Sequence, residues 1–210
     1  MEVIRLNGEN INECAAQAAG VLHAGGIVLY PTDTVYGLGS DAFSDTAVAK
    51  VYDIKKRDGK KPMHCVVGDL TMAERYVELN ERARALAEKF FPGALTLILK
   101  KKEGNDSGIA AGMTTIGIRI PNNAFCSALA REFGRPYTTT SANVSGAPAA
   151  RRIDEILAQI GADAQKIDLI VDAGELPESK PSTVVDLSGA EPRILREGAI
   201  SVAEIRAFFI

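Results

Sequence analysis

A rhythm limits this chain first: short apolar runs alternate, unevenly, with stretches patterned for helices. Residues 27–30, 63–67, 95–100, 115–120, 169–172 and 183–187 are brief and rich in β-branched side chains. Each reads as a strand, and 136–140 and 193–195 as further extended segments. Apolar positions recur at helical spacing over 11–24, 44–54, 80–90, 122–133, 153–160 and 201–209. Asn10 or Asn12 can cap the first of these, Ser44 or Asp45 the second, and Gly25-Gly26 stops the first. A glycine-containing polar loop is expected over 31–41 and a glycine-rich one over 104–112, with a surface excursion over 175–181. Uneven alternation of this kind predicts an α/β domain with an open, twisted, mixed sheet flanked by helices. It lacks the even strand–helix beat of a doubly wound dinucleotide fold. A chain of 210 residues buries an adequate core as one domain, 1–210, without disulfides or metals.

Several functions are set aside by what the chain lacks. The net charge of -3 argues against a uniformly basic nucleic-acid binder, while leaving room for a local basic pocket. No apolar stretch approaches a membrane span, and residues 1–10 carry Glu2, Arg5 and Glu9 with no apolar centre; the simplest expectation is a cytoplasmic protein with no membrane contact. Cys14, Cys65 and Cys126 are odd in number and far apart, which suits buried thiols better than a disulfide framework or zinc site. His23 and His64 offer little material for a His-centred triad or metal site. There is no G-x-x-x-x-G-K-S/T run, which disfavours a P-loop enzyme. The formal G-x-G-x-x-A match at Gly37-Leu38-Gly39-Ser40-Asp41-Ala42 follows a loop where a dinucleotide fingerprint needs a strand.

Four segments hold more polar and basic residues than their positions require. Lys55-Lys56-Arg57-Asp58-Gly59-Lys60-Lys61 ends a predicted helix, where cations meet the negative end of the dipole, and the same charges could hold a polyphosphate. Thr138-Thr139-Thr140-Ser141-Ala142-Asn143-Val144-Ser145-Gly146 is either an ordinary Ser- and Asn-rich turn or a ligand loop at the carboxyl end of a strand. The third segment is Tyr30 to Gly39. The fourth is scattered: Arg119 before Pro121, Ser182-Thr183 after Pro181, and Arg196 before Glu197-Gly198. Each lies at the end of a predicted strand, and together they suggest groups converging on one cleft. The residues point to an anionic ligand, a nucleotide by preference, and stop short of naming a reaction.

The ordered set of short runs goes further. Gly26 to Gly39, centred on Pro31-Thr32-Asp33-Thr34-Val35-Tyr36-Gly37, is followed by Lys55-Lys56-Arg57, Lys61-Pro62 and Pro92-Gly93-Ala94-Leu95-Thr96. Then come Gly117-Ile118-Arg119-Ile120-Pro121, Thr140 to Gly146, Pro181-Ser182-Thr183-Val184-Val185-Asp186 and Leu195-Arg196-Glu197-Gly198. In this order they resemble the YrdC-type threonylcarbamoyl-AMP synthases over nearly the whole chain, in the short form without an appended C-terminal domain. The resemblance implies a basic concave cleft and synthesis of threonylcarbamoyl-adenylate and pyrophosphate from ATP, bicarbonate or CO2, and L-threonine, for modification of tRNA. It implies a K-x-R…S-x-N tetrad, here Lys55, Arg57, Ser141 and Asn143, with Lys61, Thr115 and Arg196 as further ATP contacts. Thr34, Arg119, Thr139 and Ser182 would contact threonine, Arg119 pairing bidentately with its carboxylate, with Thr32 and Tyr36 supporting the loop. Mg2+ would arrive with ATP rather than on protein side chains, and no tightly bound organic cofactor is implied. A separate threonylcarbamoyl-transferase complex would receive the product.

The chain departs from the pattern at Ala94, where a second Pro is common, at Asp58, again a common Pro, and at Val66, where some relatives carry a His near the amino acid. Two other readings keep the same cleft. One is an RNA-binding or ribosome-assembly factor, against which stand the negative charge and the 6% of aromatic residues, too few for a stacking platform. The other is an adenylating domain for a different substrate, as in hydrogenase-maturation carbamoyltransferases.

Overall fold

Helix starts in this protein are written in short polar side chains. In a computed structural model that describes residues 1–59 and 61–209, Ser44 caps α2 (Asp45–Lys55) by accepting from the Ala47 amide at 3.3 Å. Asn80 does the same for α4 (Glu81–Phe90) through Ala83, and Asn123 for α5 (Ala124–Phe133) through Cys126. Ser201 and Glu204 form a reciprocal capping box at the head of α7 (Val202–Ala207). Each satisfies an amide that the helix itself leaves unpaired. Asn10, the residue preceding α1 (Ile11–His23), makes no side-chain cap; its side-chain oxygen instead accepts from the Asn7 amide. The remaining helices are α3 (Leu70–Ala73), which the sequence pattern does not announce, and α6 (Ile153–Ile160).

The strands are β1 (Glu2–Arg5), β2 (Val28–Tyr30), β3 (Gly37–Gly39), β4 (His64–Val66) and β5 (Leu95–Lys100). They continue with β6 (Thr115–Arg119), β7 (Tyr137–Ser141), β8 (Leu169–Asp172), β9 (Thr183–Asp186) and β10 (Arg193–Arg196). They lie in the order β1-β8-β2-β3-β7-β4-β6-β5-β9-β10. Parallel pairs (β4 with β6, β5 with β9) alternate with antiparallel ones (β7 with β4, β5 with β6), so the sheet is mixed.

Two strands correct the sequence expectation. β1 is an exposed edge strand with Val3 at 55% exposure, so it carries no in–out alternation to read. β3 falls inside the loop expected over 31–41. Glycine is a poor strand former, yet here it is required: a Cβ on Gly39 would come within 2.8 Å of the Tyr30 ring, and one on Gly37 within 3.1 Å. The tyrosine lies across the strand where side chains would otherwise stand.

Strand alternation divides the core into two layers. Ile27, Leu29, Leu95, Leu97, Leu99, Ile116 and Ile118 face one side and pack with Val51 and Ile54 of α2, Leu86 of α4 and Ile156 of α6. Val28, Tyr30, Val66, Tyr137, Leu169 and Val171 face the other, beneath α1 and α5. All three cysteines are buried and unbonded to one another. Each fully buried aliphatic side chain contributes roughly 1.5–3 kcal/mol, so both layers hold the sheet. α1 and α5 cover only part of their face. Along β7, Tyr137 lies under the helices and Thr139 and Ser141, on the same side, lie beyond them. Along β4, Val66 is under the helices and His64 beyond. The uncovered half of that face is where the chemistry gathers. Among the described residues no helix is long and apolar enough to cross a membrane.

Candidate active site

A pocket of about 370 Å³ opens on this bare half of the sheet. Its floor comes from β3 (Gly37), β7 (Thr139, Thr140 and Ser141), β4 (His64), β6 (Arg119) and β5 (Thr96), with Ser182 and Arg196 at the far side. The 32–36 loop closes the near side.

Thr32 builds that loop. Its hydroxyl accepts from the Thr34 and Val35 amides at 3.0 and 3.2 Å and donates to the Val35 carbonyl at 2.7 Å. The turn so made presents the buried Thr34 to the pocket, 3.1 Å from Thr32 between hydroxyl oxygens. Tyr36 is pinned by its hydroxyl, which donates to Gly174 at 2.8 Å and accepts from the Ala173 amide at 3.0 Å. Both residues support the wall, as the resemblance implies.

Arg119 is buried at 5% exposure and held from one end. Its Nη2 pairs with Asp33 at 2.6 Å, and Nη1 reaches the Thr34 hydroxyl at 3.4 Å. Asp33 is itself fixed by the Asn122 amide at 3.0 Å. The Arg119 Nε, by contrast, is buried with no hydrogen-bond partner, a costly state for a polar donor. The guanidinium therefore has both terminal nitrogens engaged with the 33–34 loop and its Nε left unpaired. Across the pocket Arg196 donates from Nε and Nη2 to the Ser182 carbonyl at 3.1 and 2.9 Å, and from Nη2 to its hydroxyl at 3.2 Å. That hydroxyl also lies 2.9 Å from Thr96.

Lys55 does not line the pocket. It is 1% exposed and sits behind the Ser141–Asn143 turn, where its ammonium donates to the Ser141 carbonyl and to the Asn143 carbonyl and side-chain oxygen, the latter two at 2.8 and 3.1 Å. Burial, and then Arg57, lowers its pKa to about 7. The Ser141 hydroxyl donates to the Asn143 side-chain oxygen, and the Ser145 amide returns to the Lys55 carbonyl at 2.8 Å. Lys55, Ser141 and Asn143 thus form one hydrogen-bonded unit with Lys55 as its buried strut, and Arg57, Ser141 and Asn143 face the cavity. Arg57 is steadied through Nη2 by the Pro62 carbonyl at 2.9 Å and through Nε by that of Lys61 at 3.3 Å.

Two expected ATP contacts lie outside the lining. Lys61 is exposed, its carbonyl receiving Arg57 and Tyr52. Thr115 opens β6 opposite Lys100 and shares the Arg119 side of the strand by alternation. Lys60 lies outside the described residues. Of the departures, Val66 packs under α1 and α5, the Ala94 carbonyl accepts from Thr183 at 2.9 Å, and the Asp58 carbonyl accepts from Lys61 at 3.0 Å.

Sequence reasoning passed over His64, Asp33 and Thr96. His64 was legible: it shares a strand side with Val66, whose position it did single out. Asp33 and Thr96 were not, because only the fold brings them to Arg119 and Ser182. His64 also reports the local field. Burial first, then Arg196, Arg57 and Arg119, push its pKa down to about 4. Arg196 is likewise lowered, by burial and then by Arg119 and Arg57. Three guanidinium groups thus act on one spot, and among the described lining residues none is a carboxylate.

Residues 20–198 match the Sua5/YciO/YrdC family model, described as "Telomere recombination". The chain belongs to the Sua5/YciO/YrdC family. It is 39% identical over 181 residues to a putative threonylcarbamoyl-AMP synthase of Methanocaldococcus jannaschii, spanning 86% of this chain and 84% of that protein. It is 36% identical to the threonylcarbamoyl-AMP synthase of Bacillus subtilis over 91% of this chain, but spans only 55% of that longer protein. The fold superposes on Pyrococcus abyssi Sua5 complexed with L-threonine with a TM-score of 0.88 and 32% identity, covering 99% of this chain and 60% of the other. It superposes on E. coli YciO with a TM-score of 0.82 and 27% identity, over 97% and 98% of the two chains. The Sua5/YciO/YrdC architecture, an open mixed sheet with helices, is the one expected from the sequence.

Proposed function

We propose that this pocket is a basic cleft that makes threonylcarbamoyl-adenylate and pyrophosphate from ATP, bicarbonate or CO2, and L-threonine. The observation that carries the reading is the convergence of Arg57, Arg119 and Arg196 on one cavity, with the buried Arg119 Nε unpartnered. Such a cavity favours a ligand with separated anionic groups, and a nucleoside triphosphate beside an amino-acid carboxylate has them. The family relationship, and relatives named threonylcarbamoyl-AMP synthase, support the same choice.

On this reading Thr34, Arg119, Thr139 and Ser182 hold threonine, the Arg119 guanidinium facing its carboxylate. Arg57, Ser141, Asn143 and Arg196 hold the nucleotide, with Lys61 and Thr115 at its margins. Lys55 acts through the turn it braces. The carbamate of threonine attacks the α-phosphorus, the O–P bond forms, and the bond to pyrophosphate breaks. Charge on the leaving group is met by fixed guanidinium groups that need no rearrangement. The lining offers cationic and hydroxyl groups rather than carboxylates, so Mg2+ would be held by the triphosphate, adding charge neutralisation there. The product would pass to a separate threonylcarbamoyl-transferase for use on tRNA.

The two halves of the site are separable by mutation. Thr34→Ala and Arg119→Ala should raise the threonine requirement by roughly 10- to 100-fold, the equivalent of one charge-assisted hydrogen bond. Their KM for ATP should stay near the wild-type value. Arg57→Ala and Ser141→Ala should do the reverse. Equal effects on both substrates from either pair would contradict the assignment.

A further inference from the structure

His64 is the pocket residue that the reading above leaves without work. It lies opposite Gly117 and Thr139 in the sheet register, between the proposed threonine side at Arg119 and the nucleotide side at Arg57 and Arg196. Its ring rests on β6 where only glycine fits: a Cβ on Gly117 would fall 2.4 Å from His64 Cδ2. Burial and charge act on this imidazole, and no protein hydrogen bond is among the influences on it. A ring held in place by packing, with its polar atoms uncommitted and facing a cavity, is poised to meet a ligand.

We propose that His64 contacts the amino group of the bound amino acid and accepts its proton, so that the amine can form the carbamate. The proposal rests on the threonylcarbamoyl-adenylate reading and supplies a step it needs. At neutral pH threonine arrives as an ammonium, which has no lone pair to attack carbon. Transfer of one N–H proton to the imidazole leaves the amine. The amine nitrogen then bonds to the carbon of bicarbonate, a C–O bond breaks, and water leaves carrying a second amine proton. The carbamate attacks the α-phosphorus, and imidazolium returns its proton to solvent as products depart.

The groups facing His64 decide when it is basic. From β6 comes Arg119, from β10 Arg196, and from the segment after α2 Arg57; Thr139 of β7 and Thr96 of β5 are neutral. Asp33, the nearby carboxylate, is committed to Arg119. Burial first, and then the three unopposed cations, keep the ring neutral and weakly basic. A bound triphosphate offsets them and raises its basicity, so proton abstraction is favoured only once the nucleotide is in place.

The test is pyrophosphate release that depends on both threonine and bicarbonate, followed from about pH 6 to about pH 9, the range across which a free α-amino group titrates. Near pH 7, His64→Gln should lower kcat by roughly 100-fold with an unchanged KM for ATP. The deficit should shrink towards pH 9, where solution supplies the free amine. A second readout uses the wild-type chain: the His64 ring proton, followed by NMR, should titrate at higher pH when a non-hydrolysable ATP analogue is added. A His64→Gln enzyme with the wild-type rate and pH profile, or a His64 titration indifferent to the analogue, overturns the proposal. Loss of the threonine requirement in the wild type would instead remove the function on which it rests.

Discussion

Lys56 shows how a single residue can bear a cost for the site. It ends α2 with φ at 48°, the only non-glycine residue with positive φ among those described. The left-handed region costs an L-residue roughly 1–2 kcal/mol relative to glycine. Its exposed side chain makes one long ion pair, to Asp163 at 4.0 Å, worth little at a surface. The turn it forms is what separates Lys55, pointing back into the protein, from Arg57, pointing into the pocket. Lys56→Gly should therefore raise stability by about 1 kcal/mol, read as a higher denaturation midpoint, and leave turnover intact. A lower midpoint would mean that the side chain contributes more than its contacts suggest. Lys55 makes the complementary point: its identity is legible from the K-x-R pattern, its task is not. The fold buries its ammonium against backbone and amide oxygens of Ser141 and Asn143.

Elements position the site by alternation. On β4 and β7 the residues that point under α1 and α5, Val66 and Tyr137, are apolar, and on the same side two positions away are His64 and Thr139, with Ser141 beyond; on β6 Arg119 takes that side while Ile116 and Ile118 face the other layer. The Ser44 start of α2, the long strands and the buried runs were readable in advance, because caps and apolar periods are local signals, whereas the cap expected at Asn10 or Asn12 is not made. β1 and β3 were not readable, one being exposed and the other glycine shaped around Tyr30. A glycine just beyond Arg196 carries a similar constraint. Gly198 follows β10, and a Cβ there would meet the Pro181 carbonyl oxygen at 2.1 Å and the Ser182 backbone at 2.6 Å. Backbone cannot yield as a flexible side chain does, so Gly198→Ala should cost roughly 1–3 kcal/mol and shift Ser182 and Arg196 together. Melting temperature and the KM values for both substrates would check this; unchanged values would show that the segment repacks freely.

At the scale of the molecule, function follows from incomplete coverage. Among the described residues a ten-stranded sheet is clad on one face by α2, α4 and α6, and on the other by α1 and α5 over only part of its width. Buried strand ends that a further helix would have covered instead carry hydroxyls and guanidinium groups. The chain's overall negative charge conceals this, since its carboxylates lie elsewhere and Asp33 is spent on Arg119. Composition alone therefore could not reveal the cleft, whereas the order of short polar runs did point to it. The separation of Arg119 and Asp33 by 86 positions explains why their pairing escaped a linear reading.

The proposed reaction is most directly tested by pyrophosphate release from the purified chain with ATP, Mg2+, bicarbonate and L-threonine. Serine, bicarbonate-free and amino-acid-free mixtures run beside it, with an Arg57→Ala/Arg196→Ala variant. Release should require both threonine and bicarbonate, be much weaker with serine, and be lost in the variant. Release indifferent to threonine, or none from the wild-type chain alongside tight binding of RNA, would contradict it.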